Sequence, residues 1–273
     1  MNKLTVPGRL WIASDVHLGP ESPATAAAFH AFLAQAANQA DALILAGDIF
    51  DAWIGDDVAL ASPEPWLQAS IAALQQVSAR IPLWIGHGNR DFLIGPRLAR
   101  HLGARLLTGP TRIETATGPI LLAHGDEYCL DDHKYQRFRR VVRNRRVQAA
   151  YLALPLRTRK AIAAWARGRS RDANQYKSQN IMDVTPQAIQ AAMRQAGNDV
   201  HTLIHGHTHR PARHTLAVDG RECERVVLPD WELDHADPPR GGWVEIDEDG
   251  VHLQLAAETR PPVSGGSTSQ ASK

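Results

Sequence analysis

The chain has 273 residues, 44% hydrophobic and 22% charged, enough for one large domain or two small ones and unlike a disordered or fibrous polymer. Thirty Lys and Arg against twenty-nine Asp and Glu leave a formal charge of +1, which, if evenly spread, would exclude a nucleic-acid-coating or polyacidic protein. The spread is uneven: His133 to Ser178 holds fourteen of the cations and one acid, a net +13 against −12 elsewhere, so a polyanionic or membrane-surface partner stays open for that block.

Short apolar runs recur along the chain, each ending in polar residues. Leu10-Trp11-Ile12-Ala13 leads into Ser14-Asp15-Val16-His17, and Ala42-Leu43-Ile44-Leu45-Ala46 into Gly47-Asp48. Pro82-Leu83-Trp84-Ile85 leads into Gly86-His87-Gly88-Asn89, and Ile120-Leu121-Leu122-Ala123 into His124-Gly125-Asp126. His201-Thr202-Leu203-Ile204 leads into His205-Gly206-His207-Thr208-His209. Runs this short, bounded by glycine, predict buried strands. Helical patterns separate them, from Pro23 to Ala40, Pro65 to Arg80, Pro96 to Leu102 and Pro186 to Ala196. The alternation predicts an α/β layered domain with strands buried on both faces. The basic block reads as mainly helical, broken near Pro155, and as an insertion over the main domain. Arg225 to Leu228, Trp243 to Ile246 and Val251 to Leu255 read as further strands, the last two paired across Asp249-Gly250. The expected organisation is a core of 1–129 and 179–258, an insertion of 130–178 and a disordered tail of 259–273. Two cysteines, Cys129 and Cys223, suit a reducing cytoplasm. No apolar run nears the ~18 residues of a membrane span, and the N-terminus lacks the pattern of a signal peptide.

The strand ends deliver Asp15, His17, Asp48, Asn89, His124, His207 and His209. Carboxylates, an amide oxygen and imidazoles form a mixed donor set suited to Mn, Fe or Zn. Seven donors exceed one tetrahedral site and fit two adjacent cations. Residues i and i+2 of a strand point the same way, so Asp15 with His17, and His207 with His209, are expected to aim together. A lone Asp-x-His carries little weight, and Asn89 alone reads as a turn former; the weight lies in all five strand ends together. His87 and His205 read as structural, Asp51 and Asp126 as partners of loop backbone or of a ligand's surroundings, and Asp56-Asp57 as a solvated pair.

Asp15-x-His17, Gly47-Asp48-x-x-Asp51, Gly88-Asn89-x-Asp91, His124-Gly125-Asp126 and Gly206-His207-x-His209 resemble the motif series of the calcineurin-like metallophosphoesterases. That resemblance implies a four-layer α/β/β/α sandwich. It also implies a dinuclear centre, with Asp15, His17, Asp48 and His209 on one metal and a bridging Asp48, Asn89, His124 and His207 on the other. Where that superfamily carries a histidine after Asn89, this chain has Arg90. An arginine cannot act as a proton donor, with a pKa above about 12, but grips phosphate oxygens through its fork. Arg90 therefore tilts the chemistry toward a leaving group that needs no acid, as in cleavage of a pyrophosphate.

Further stretches narrow the resemblance to the UDP-2,3-diacylglucosamine hydrolases of lipid A synthesis. They are Phe50-Asp51-Ala52-Trp53-Ile54-Gly55-Asp56-Asp57, His87 to Leu93, Asp131-Asp132 with Tyr135, Leu154-Pro155-Leu156, Ile181-Met182-Asp183-Val184 and His207 to Pro211. Two features depart from that pattern: Pro229 stands where a glycine is expected before Trp231, and the tail is longer. The resemblance implies hydrolysis of the UDP-sugar pyrophosphate to UMP and the diacylated glucosamine 1-phosphate, by hydroxide attack at the α-phosphorus between two Mn2+ ions. It implies catalytic roles for Asn89, Arg90 and His124, and substrate contacts from Asn89, Arg90, Asp132, Ser170, Asn174, Lys177 and His207. With the basic block as a lipid-facing cap, a peripheral protein on the cytoplasmic face of the inner membrane is expected, with no nucleic-acid ligand and no obligate protein partner. A nuclease or phosphodiesterase of the same superfamily, and a scaffold without metal, are the alternatives. Sparse aromatics in the block weaken the first, and the complete donor set weakens the second.

Overall fold

The computed structural model describes residues 1–175 and 183–255, without the side chains at 167 and 169–175. The chain opens with β1 (Asn2–Thr5), β2 (Leu10–Ala13), α1 (Pro23–Gln39), β3 (Ala42–Leu45), α2 (Asp57–Leu60) and α3 (Pro65–Ser78). It continues through β4 (Leu83–Gly86), α4 (Pro96–Leu102), β5 (Arg105–Leu107), β6 (Thr111–Thr115) and β7 (Gly118–Leu122). Three helices follow a short 3₁₀ turn: α5 (His133–Val142), α6 (Arg145–Leu152) and α7 (Leu156–Gln175). The chain then returns through α8 (Pro186–Ala196), β8 (Thr202–His205), β9 (Ala212–Val218), β10 (Arg221–Val227), β11 (Gly242–Asp247) and β12 (Gly250–Leu255).

The strands form two six-stranded sheets, ordered β12-β11-β2-β3-β4-β5 and β1-β6-β7-β8-β10-β9. Within the first, β2 through β5 are parallel; within the second, β7 lies parallel to β8 and β8 to β10. Parallel strands need both faces covered, and the residue pattern supplies the cover. On β2, Leu10 and Ile12 turn toward the other sheet, where they meet Ile113, Ile120, Leu122, Ile204 and Val226. Trp11 and Ala13 turn the other way, into a cluster with Phe29, Phe32 and Leu33 of α1 and Leu74 and Val77 of α3. The outer face of the second sheet packs Leu121, Leu203 and Val218 against Ile189 and Met193 of α8. The layers therefore run helix, sheet, sheet, helix, the four-layer sandwich expected from the motifs.

The helices form where the sequence permits. Proline at the first turn starts α1, α3, α4 and α8, where its missing N–H costs nothing. On α1, Phe29, Phe32, Leu33 and Ala36 recur at helical spacing and are all buried. The basic block holds three helices rather than two. Asn144 interrupts it a second time, its side chain accepting from Arg146 N–H as the cap of α6. The β11–β12 hairpin turns over Glu248-Asp249, one residue earlier than expected, since Asp247 pairs with Gly250. Strands β1, β5, β6 and β9 are not announced by the apolar pattern; β1, β5 and β9 are edge strands, which bury less, and Arg213, His214 and Thr215 of β9 are exposed. The expected tail of 259–273 lies outside the described residues.

Phe29 is fully buried, its ring 5.7 Å from Phe32 and 5.4 Å edge-on from Trp231. Phe29→Ala should cost about 3–5 kcal/mol in urea unfolding, and a loss below about 1 kcal/mol would contradict this packing.

Candidate metal centre

The strands β2, β3 and β4 of one sheet, and β7 and β8 of the other, end on the same rim, and each passes directly into a polar loop. Asp15 and His17 follow β2, Asp48 follows β3, Asn89 follows β4, His124 follows β7, and His207 and His209 follow β8. All seven meet. Asp48 Oδ2 lies 3.9 Å from His17 Nε2 and 3.7 Å from His124 Nε2. His17 Nε2 and His209 Nε2 are 3.3 Å apart, and Asp15 Oδ1 is 3.3 Å from His209 Nε2. On the other side, Asn89 Oδ1 sits 2.8 Å from His207 Nδ1 and 3.3 Å from His124 Nε2.

The convergence does not come from strand alternation, which was the expectation for Asp15/His17 and His207/His209. These residues lie beyond the strands, in left-handed turns. Asp15 (φ 56°), His17 (φ 53°), Asp48 (φ 53°), His207 (φ 68°) and His209 (φ 53°) all have positive φ. Each such residue costs about 1–2 kcal/mol, a strain that clusters at functional sites. Two glycines make the turns possible by close approach. A Cβ on Gly206 would stand 2.1 Å from Asp15 Oδ2, and one on Gly88 would stand 2.0 Å from Asp48 Oδ1.

The electrostatics are those of a charge-loaded buried site. Burial raises the Asp48 carboxyl to about 7; His124 opposes the rise, and Asp91 and Asp15 add to it. Burial works against the His124 cation, but Asp48 and Asp15 outweigh it and bring that imidazole to about 9. Burial also raises Asp15, but the His209, His124 and His17 imidazoles pull it well below the ordinary carboxylate range. Burial lowers His17 to about 3 and His207 to about 4, leaving neutral imidazoles with lone pairs to give. Asp15 Oδ1 is buried without an aligned hydrogen-bond donor. Buried carboxylate oxygen and paired imidazole nitrogens facing one another fit divalent cations. Two sets, Asp15-His17-His209 and Asp15-Asp48-His124, have donor atoms within 4.8 Å of one another.

Three acids hold this arrangement in place, and none is among the expected ligands. Asp91 accepts from the backbone N–H groups of Asp48 (3.2 Å), Ile49 (2.8 Å) and Gly88 (2.8 Å), tying the β3 and β4 loops together. Asp230 Oδ2 lies 3.5 Å from His209 Nδ1 and accepts from Arg240, so it orients that ring. Asp126 accepts from Tyr135 and Arg139. Asp91 and Asp126 stand inside the motifs that drew attention to the site; Asp230 had no signal beyond its neighbour Trp231.

The remaining expected residues are less concentrated. Arg90 donates its backbone N–H to Asp48 Oδ1 at 2.7 Å, which keeps it at the centre. Asp132 caps α5, accepting from Tyr135 N–H at 3.0 Å. Ser170 and Asn174 fall within α7 on the stretch whose side chains lie outside the description, and Lys177 lies outside the described residues. The pair Asp56-Asp57 is not solvated as expected. Asp56 is buried, accepting from Trp53 Nε1 and from the backbone of Gly95 and Leu98. Asp57 pairs with Arg159 of α7, a buried guanidinium that also donates 2.6 Å to the Ile54 carbonyl. His87 Nε2 bonds the Ile94 carbonyl at 2.8 Å, the structural part expected of it.

The sequence model of the calcineurin-like phosphoesterases matches residues 8–211, about three-quarters of the chain, and the chain belongs to that family of metal-dependent hydrolases. Its relatives are more particular. It is 60% identical over 251 residues to the UDP-2,3-diacylglucosamine hydrolase of Bordetella parapertussis, covering 92% of this chain and 96% of that one. The proteins of the same name from Serratia proteamaculans and Pseudomonas paraeruginosa are 47% and 46% identical, covering 89% and 87% of this chain and 97% and 94% of theirs. Within the calcineurin-like class the chain falls among the UDP-2,3-diacylglucosamine hydrolases.

A ligand that binds the folded state alone stabilises it, by about 2.7 kcal/mol at a hundred times its dissociation constant. A divalent cation should therefore raise the melting temperature of the metal-free protein. Asp48→Asn should keep the far-UV spectrum and lose most of that gain; an undiminished gain would refute the site.

Proposed function

We propose that this chain hydrolyses the pyrophosphate bond of UDP-2,3-diacylglucosamine, giving UMP and 2,3-diacylglucosamine 1-phosphate for lipid A biosynthesis. One observation carries the reading: seven side chains with nitrogen or oxygen donors, Asp48 among them, converge with Arg90 beside them, in a chain 60% identical to a hydrolase of that name. Asp15, His17, Asp48 and His209 would hold one cation, and Asp48, Asn89, His124 and His207 would hold the other. Mn2+ suits a set that mixes carboxylate and amide oxygen with imidazole. When bound, the pair supplies Lewis-acid charge for the phosphoryl oxygens and makes a water acidic enough to attack near neutral pH.

The chain's own residues do the rest. Asn89 and Arg90 place the α-phosphoryl group, the guanidinium pairing its non-bridging oxygens through two parallel hydrogen bonds. A solvent oxygen attacks the α-phosphorus in line, the P–O–P bridge breaks, and the new oxygen stays with UMP. The departing lipid phosphate is a monoester with a second pKa of about 6, so it leaves without a proton donor. This is why a residue that cannot donate a proton serves at position 90. Arg90 instead absorbs the charge that builds on the phosphoryl group in the transition state. Asp132, Ser170, Asn174, Lys177 and His207 contact the substrate's nucleotide and sugar.

Residues 130–178 form the lipid-facing cap. The reading is supported by Phe138, Val141, Ile162 and Trp165, large apolar side chains of α5 and α7 that are exposed, Trp165 at 64%. Set among arginines, they suit acyl chains on one side and anionic headgroups on the other, with each cation worth about 1 kcal/mol near such a surface. No helix among the described residues is long and apolar enough to cross a membrane, so the proposed attachment is peripheral, at the cytoplasmic face of the inner membrane. It needs neither nucleic acid nor a protein partner.

Turnover of UDP-diacylglucosamine in ¹⁸O-labelled water with Mn2+ should place the label in UMP, read by phosphorus NMR; label in the lipid phosphate moves the attack to the other phosphorus. The protein should also sediment with anionic vesicles at low salt and release as salt rises, and sedimentation indifferent to lipid charge removes the membrane role.

A further inference from the structure

Tyr135, Arg139 and Arg143 stand four residues apart along α5 and its C-cap, so they share one helix face. All three reach the buried carboxylate of Asp126. Tyr135 Oη donates to its Oδ2 at 2.5 Å and Arg139 Nε at 2.6 Å, while Arg143 Nη2 lies 3.7 Å from the same oxygen. Gln136, beside them, donates to the Asp126 carbonyl at 2.8 Å. Asp126 follows His124 by two residues, so the face grips the loop that carries that imidazole.

The same face reaches two more loops. The Tyr135 ring stacks over the His207 imidazole, with centroids 6.1 Å apart and planes 27° from parallel. Arg143 Nη2 donates 2.9 Å to the carbonyl of Gly88, the residue before Asn89, and its guanidinium covers the Phe92 ring at 5.4 Å. The contacts thus fall on the loops of Asn89, His124 and His207. Those residues serve one cation in the assignment above. The ligands of the other cation have partners outside α5: His209 has Asp230 and Arg240, and Asp15 has the hydroxyl of Ser14 and the backbone N–H of His207, a main-chain link between the two sets.

We propose that this face of α5 is a positioning element that sets the cation affinity of the Asn89–His124–His207 half separately from the Asp15–His17–His209 half. Arg143 is its principal residue. By holding the Gly88 carbonyl it fixes the backbone from which Asn89 projects, and Asn89 Oδ1 must stand between His207 Nδ1 and His124 Nε2. The helix that supplies this brace also carries Phe138 and Val141, exposed in the proposed cap, so displacement of the cap bears on one cation more than on the other. The inference rests on the ligand assignment proposed above.

The test is calorimetric titration of Mn2+ into metal-stripped full-length protein, with electron paramagnetic resonance reporting the coupled pair. Wild type should show two binding steps. Arg143→Ala should weaken one step about tenfold or more and leave the other within about twofold, the size expected for partners that orient a ligand without touching the metal. The coupled-pair spectrum should then give way to that of a single ion at one equivalent. Tyr135→Phe, which keeps the ring and loses the hydroxyl, should weaken the same step less. Arg143→Lys, which keeps the charge, should recover part of the loss, and both conservative variants carry the test should Arg143→Ala fail to fold. Arg145→Ala, exposed on α6, should change neither step. Equal weakening of both steps by the α5 variants, or no change in either, overturns the proposal. A wild type that takes up fewer than two ions overturns the ligand assignment, and this proposal with it.

Discussion

Two carboxylates, Asp15 and Asp48, are buried at the rim where two sheets end, each about 1% exposed, and the local structure is organised by what their charge requires. A buried anion is costly unless it is paired or coordinates a cation. Here Asp48 receives the Arg90 N–H and faces His17 and His124, and Asp15 receives the His207 N–H and faces His209. Protons compete for these groups in the metal-free protein, with Asp48 and His124 both raised and His17 and His207 both lowered. Divalent cations bound there would take the place of those protons, linking metal uptake to proton release.

Holding that constellation has a conformational cost, and the sandwich bears it. The positive-φ residues Asp15, His17, Asp48, His207 and His209 are strained turns, each anchored on a strand with a buried core on both faces. Asp91 ties two of the turns together through three backbone N–H groups. Beneath them the inter-sheet cluster around Ile12, Ile44, Leu122 and Ile204 fixes where the strand ends stand. Rigid strands placing strained loops is what allows side chains from far-apart stretches to meet within hydrogen-bonding distance.

The basic segment divides its labour. A run of +13 reads as a uniform charged surface, yet among the described side chains Arg139, Arg143 and Arg159 turn inward. Arg159 is buried against Asp57 and the Ile54 carbonyl, and Arg139 and Arg143 engage Asp126 and Gly88. These pin the helices to the loops that carry Asp48, Asn89 and His124. Arginines such as Arg140 and Arg146 face outward, beside the exposed apolar side chains, where the proposed anionic surface would meet them. The same segment therefore connects the proposed lipid surface to the chemistry.

The sequence by itself determined the layered α/β class, most strands and helices, and which polar side chains follow the strands to the shared rim. Runs such as Leu10–Ala13 and Ala42–Leu45 are legible because burial on both faces demands continuous apolar residues, and the polar residues after them are conspicuous for the same reason. Edge strands such as β9 were not legible, since half-exposed strands carry mixed residues. Nor was the means of convergence: left-handed turns, not strand alternation, aim Asp15 with His17 and His207 with His209, and φ is set by tertiary contacts that no local pattern records. The burial of Asp56, the Asp57–Arg159 pair and the Asp230–His209 contact join residues distant in the chain. Only the packed structure decides which charges become neighbours, because a charged residue reads alike in sequence whether it ends in water or against its opposite.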